Sequence, residues 1–177
     1  MLRPYKRRNP KSKTPNPKSL AMPLFARRVL VGVVIIALQW LILGRLRLLG
    51  AYPDVVLLYV AWVGLRHGRL VGSVAGFGMG FLIDVIYGTW GIHTFAKTLV
   101  GFLVGLFPAN ERETLLILPR QAFLGALVIA LLHNGLIVLL MALQSGTRTP
   151  FLIWGLWIGS SIYTAILGTL ASLFSTR

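Results

Sequence analysis

The sequence predicts an all-α membrane protein, a compact bundle of six transmembrane helices, on three observations. Hydrophobic residues fill 56% of the 177 positions and the mean hydropathy is +0.77. Charged residues make up only 12%, against about 25% in a typical soluble domain, too few to coat a water-soluble globule. The apolar residues also fall in runs approaching the roughly 20 that cross a bilayer. They lack the alternation of polar and apolar positions that marks a barrel strand.

The elements follow in order. A first helix is expected over about 27–46, where VLVGVVIIALQWLIL lies between arginine pairs. No small-x-small cleavage site follows Leu43, so this run reads as a retained helix rather than a signal peptide. A short second helix is expected over about 50–66, with Pro53 in its first turn. The third covers about 69–87 and the fourth about 91–109, separated by the turn Gly88-Thr89-Trp90-Gly91. The fifth falls between Arg120 and Arg148 and the sixth between Arg148 and Arg177. The connections are short, which leaves no room for a soluble catalytic domain.

Charge sets the domain organisation and the orientation. The 18 Lys and Arg against 4 acidic residues give +14. Nine of those cations lie in the first 28 positions, in a proline-rich stretch with no apolar periodicity. Residues 1–26 therefore read as a disordered basic arm that meets anionic lipid, and 27–177 as the membrane domain. This distribution argues against nucleic acid as a partner. With the N-terminus cytoplasmic, 14 cations fall inside and only Arg45, Arg47 and Arg148 outside, so both termini are expected in the cytoplasm. Arg66-His67-Gly68-Arg69 reads as a cytoplasmic turn with snorkelling arginines. Tyr52, Trp90 and Trp154 suit the membrane interface.

The informative stretch is 52–105. Gly72, Gly76 and Gly80 recur every four residues, and Asp84 extends the row. His93, Lys97, Gly101 and Gly105 form a second such row on the next helix. Small residues at this spacing let helices approach closely. Counting outward from the middle of the 88–91 turn puts Asp84 and Lys97 within about 3 Å in depth, so they are expected to pair. A lone charge in lipid costs at least about 2.5–3.5 kcal/mol, and both must face inward. Asp84 is read chiefly as a carboxylate tying the turn to its neighbours, with a proton or ligand site as the alternative. Asp54 reads as a complement to a helix N-terminus. His133-Asn134 suits hydrogen bonding between helices. There are no cysteines. The histidines lack the spacing of metal ligands, and no phosphate loop, nucleophile elbow or dinucleotide fingerprint occurs. No catalytic residue, cofactor or metal is expected.

Three groups of residues resemble the MreD family of bacterial rod shape-determining membrane proteins. They are Tyr52-Pro53-Asp54 followed by aliphatics, GFGMGFLIDVIYGTWGIHTF at 76–95, and LVGFLVG at 99–105. Gly76, Phe77, Gly80 and Asp84 match the family pattern, with Phe81 where leucine is usual and two residues between the turn glycines Gly88 and Gly91. Asp54, Gly76, Gly80, Asp84 and Gly105 carry over as motif positions. The resemblance implies a non-enzymatic scaffold in the bacterial inner membrane. Such a scaffold pairs with MreC and, through it, with MreB, RodA and the elongation transpeptidase. It also implies a likeness to the substrate-binding components of energy-coupling-factor transporters, so a vitamin-type uptake subunit is the alternative. Asp54, Gly72, Gly76, Gly80, Asp84, His93, Lys97, Gly101 and Gly105 are the candidate structural or partner-binding residues.

Overall fold

A computed structural model of the chain describes residues 24–48, 50–107, 119–145 and 149–175. The expected basic arm lies outside the described residues up to position 23. Among the described residues all regular structure is helical. Helix α1 is Leu24–Leu38 and continues as a π-helical turn over Gln39–Leu43. Helix α2 is Val55–Tyr87, α3 is Ile92–Gly105 and α4 is Pro119–Ser145. A π-helical segment, Leu152–Gly159, leads into α5, Ser160–Ser175. Four stretches are long and apolar enough to cross a bilayer: Ala26–Leu43, Val55–Tyr87, Pro119–Gln144 and Leu152–Leu173. Helix α3 is apolar but shorter. The described residues are thus all-helical, with four candidate spans among them.

Helix α2 joins the second and third expected helices into one element of 33 residues, broken at Gly68. Run straight, it would be about 50 Å long and would hold Val56 and Ile83 about 40 Å apart. Instead Val56, Val60, Met79 and Ile83 share one buried cluster with Ile36 of α1. A Cβ placed on Gly72 would fall against the Cα of Gly64. The chain therefore folds back on itself at Gly68, giving arms 55–67 and 69–87. Gly68 has φ 81° and ψ 177°, a conformation open to glycine and costly for other residues.

The second arm packs antiparallel on α3, and the two glycine rows meet as expected. A side chain at Gly72 would strike the backbone of Gly101, one at Gly76 that of Lys97, and one at Gly80 that of His93 and Thr94. Gly105 lies against Gly68 and Arg69 in the same register. Backbones this close gain dispersion contacts that bulkier residues would forbid. Two smaller clusters bring in α4. Ile92 and Ala96 pack with Ile137 and Leu156, and Leu57 and Val100 pack with Ala130. Outward faces are apolar, as in Val74, Phe77, Phe81 and Val85 of α2, which suits a lipid solvent.

Candidate functional site: a polar spine inside the bundle

Asp54 begins the site. It is the N-cap of α2, with φ −113° and ψ 91°, and its Oδ1 accepts from the Leu57 N–H at 2.8 Å. The helix thus starts two residues after Pro53 rather than on it, because the carboxylate satisfies an N–H that the first turn leaves unpaired. The other oxygen, Oδ2, pairs with the Lys97 ammonium of α3. Lys97 is 1% exposed.

From Lys97 the network continues in one direction. Lys97 Nζ lies 3.2 Å from His133 Nε2 on α4, and His133 Nδ1 lies 3.0 Å from Asn134 Oδ1. An ammonium has only protons to give. Nε2 must therefore accept, which places the ring proton on Nδ1 and lets it donate to Asn134. Asn134 Nδ2 donates to Ser161 Oγ on α5 at 3.0 Å, and Ser161 donates to the Trp157 carbonyl at 2.5 Å. Each donor finds an acceptor, which such a buried chain requires. His133-Asn134 bonds between helices, as its mid-helix position suggests.

The segment 52–55 is held from both sides. Gln39 of α1 donates to the Pro53 carbonyl and accepts from the Val55 N–H, each at 2.9 Å. On α5, Ser160 Oγ accepts from Tyr52 N at 3.1 Å and Thr164 Oγ1 from Asp54 N at 3.0 Å. Each of the five described helices, or its π-helical extension, therefore supplies a group to one spine. Sequence reasoning missed Gln39, Ser160, Ser161 and Thr164. The available signal was a glutamine inside an apolar run, and hydroxyls spaced to share one helix face.

Asp84 forms a separate cluster and does not pair with Lys97, contrary to expectation. Its oxygens accept from Thr89 Oγ1 at 2.5 Å, His93 N at 3.0 Å, Thr94 N at 2.8 Å and Thr94 Oγ1 at 2.5 Å. His93 Nδ1 lies 3.3 Å from the same carboxylate. The reason is local. Gly91 is the N-cap of α3 in a left-handed conformation and has no capping side chain. Asp84 supplies the missing acceptor from the preceding helix, where the α3 dipole also favours negative charge. Asp84 thus ties the 88–91 turn to the helices on either side of it.

The nine candidate positions divide accordingly. Asp54 and Lys97 join in the spine, and Asp84 and His93 join at the cap. Gly72, Gly76, Gly80, Gly101 and Gly105 bring the second arm of α2 against α3. All nine are buried. Outside the bundle, two open clefts flank the turn. One of about 710 Å³ runs between the second arm and α3 along Phe77, Phe81, Thr94 and Thr98. One of about 410 Å³ lies between α3 and α4. Trp90, Gly91 and Phe95 line both. Trp90 has φ 40° and is 87% exposed, an uncommon conformation for a bulky side chain.

These features define a multi-pass helical membrane protein whose polar groups are turned inward to hold the bundle together. The family model for rod shape-determining protein MreD matches residues 18–172. The chain belongs to the MreD family. Comparisons with curated proteins and with solved structures gave no match.

Proposed function

We propose that the chain is a non-enzymatic scaffold of the machinery that builds the lateral cell wall, resident in the bacterial inner membrane and docking MreC. Through MreC it would be linked to MreB, RodA and the elongation transpeptidase. The supporting observation is where the polar groups are used. Asp54, Lys97, His133 and Asn134 are all engaged in bonds between or within helices, which builds rigidity rather than reactivity. In this reading the two arms of α2 and helix α3 are separate crossings, which gives six spans with both termini cytoplasmic. The clefts around Trp90 and Phe95 are the docking face for the single membrane helix of MreC. An exposed aromatic held beside apolar grooves is the kind of anchor that dominates binding.

The alternative, a vitamin-type uptake subunit, needs a ligand in the bundle interior. That space is taken by Lys97, His133 and Asn134, at 1%, 0% and 4% exposure. The discriminating experiment is copurification of the tagged chain from native membranes in mild detergent. MreC with wall-elongation enzymes is the expected company. A coupling protein with cytoplasmic ATPases would instead make the chain a transport subunit. Trp90→Ala with Phe95→Ala should lower MreC recovery several-fold without changing the melting curve, and unchanged recovery would move the docking face elsewhere.

A further inference from the structure

The end of the bundle at Gly68 carries a patch of different character. Tyr59 and Trp62 stack with ring centroids 5.9 Å apart, and Trp62 meets the His67 ring edge-on at 6.0 Å. Tyr59, Trp62 and Arg66 are three and four residues apart, so they share one stripe of the first arm. Arg66 is exposed and lies one turn nearer the Gly68 bend than Trp62. The Tyr59 hydroxyl donates to the Arg28 carbonyl at 3.4 Å, which seats the basic first turns of α1 beside this stripe. Arg27 and Arg28 are exposed there, and Arg69 is exposed just past the bend.

We propose that Arg28 and Arg66, set about the Tyr59–Trp62–His67 strip, bind the phosphodiester headgroup of an anionic phospholipid in the adjoining leaflet. The chemistry of the two parts matches the two parts of a lipid. Tyrosine and tryptophan settle where headgroups meet acyl chains. Arginine stems lie along apolar surface while the guanidinium reaches outward, and a guanidinium offers paired N–H donors that fit phosphate oxygens. Each basic residue near an anionic surface strengthens binding by about fivefold. The half-exposed Trp62, at 47%, supplies the apolar wall against which the glycerol and first methylenes would lie. A soluble anion would have no use for that wall.

The test is native mass spectrometry of the full chain in detergent micelles doped with phosphatidylglycerol or phosphatidylcholine. The chain should retain phosphatidylglycerol preferentially. Arg28→Gln with Arg66→Gln should weaken that retention by about fivefold per arginine, while R28K/R66K keeps part of it, since lysine supplies the charge without the paired donors. Arg45→Gln with Arg47→Gln removes the same charge at the other end and should change nothing. R28Q alone is a second probe, since its contact to Tyr59 runs through the main chain and survives substitution. Trp62→Leu should weaken retention further. Equal losses from the two pairs would show a response to net charge and overturn the site. So would equal binding of the two lipids, or displacement of the lipid by millimolar inorganic phosphate.

Discussion

At the scale of single residues, the membrane makes each buried charge answerable to a partner. Lys97 has Asp54 and His133, and removing either side leaves the other charge stranded. Breaking a buried ion pair by losing one member costs about 3–5 kcal/mol. Lys97→Met and Asp54→Asn should each lower the melting temperature in detergent markedly. The double variant should be less destabilised than the sum of the two. A double-mutant cycle between Asp84 and Lys97 should show no coupling, since these residues bond to different groups. The expected Asp84–Lys97 pair failed for a reason of register. The depth count assumed a turn centred between Thr89 and Trp90. The observed partners of Lys97 and His93 are Gly76 and Gly80, so the turn folds back beside the last turn of α2. Asp84 then lies eight residues beyond Lys97's level, about 12 Å along the axis.

At the scale of elements, the glycines of the second arm separate into two kinds. Gly76 faces the α3 backbone with no room for a methyl group, whereas Gly78 faces open space. Gly76→Ala should therefore destabilise by about 1–3 kcal/mol, the usual cost of forcing bulk into a packed interface. Gly78→Ala should be neutral or stabilise by up to about 1 kcal/mol. Thermal unfolding of the two variants side by side checks this; equal effects would mean the face assignment is wrong. Gly68 is a third kind, with space around it but φ at 81°. Gly68→Val should destabilise through backbone strain of about 1–3 kcal/mol, although nothing stands in its way.

At the scale of the whole molecule, the five described helices are joined mostly through their neighbours in sequence, with the spine crossing between them. Asp54 bonds from α2 to α3 through Lys97 and to α5 through Thr164, and Lys97 reaches α4. Such a spine fixes which helices meet, because in lipid an unpaired polar group has no water to turn to. Deleting residues 1–20 should leave this bundle folded, with an unchanged melting curve. Their composition, basic and proline-rich without apolar periodicity, offers little to bury. Loss of cooperative melting on deletion would show that the arm takes part in the fold.

The sequence by itself determined the helical class, the apolar character that suits a bilayer, and the close approach of the 69–87 stretch to α3. Those follow from local signals: apolar runs without strand alternation, and glycines four apart. It also pointed to Asp84 as a tie for the 88–91 turn, because no second carboxylate stands at its depth in the flanking helices to share chemistry with it. Only the tertiary structure decided that Lys97 answers Asp54, 43 residues away, and that Gln39, Ser160 and Thr164 hold the segment around Pro53. The physical reason is direction. Spacing along a helix fixes which residues share a face, but not the rotation of that face about the helix axis or the register of its neighbour. Those are set when every buried donor and acceptor must find a partner at once, and that condition belongs to the assembled bundle.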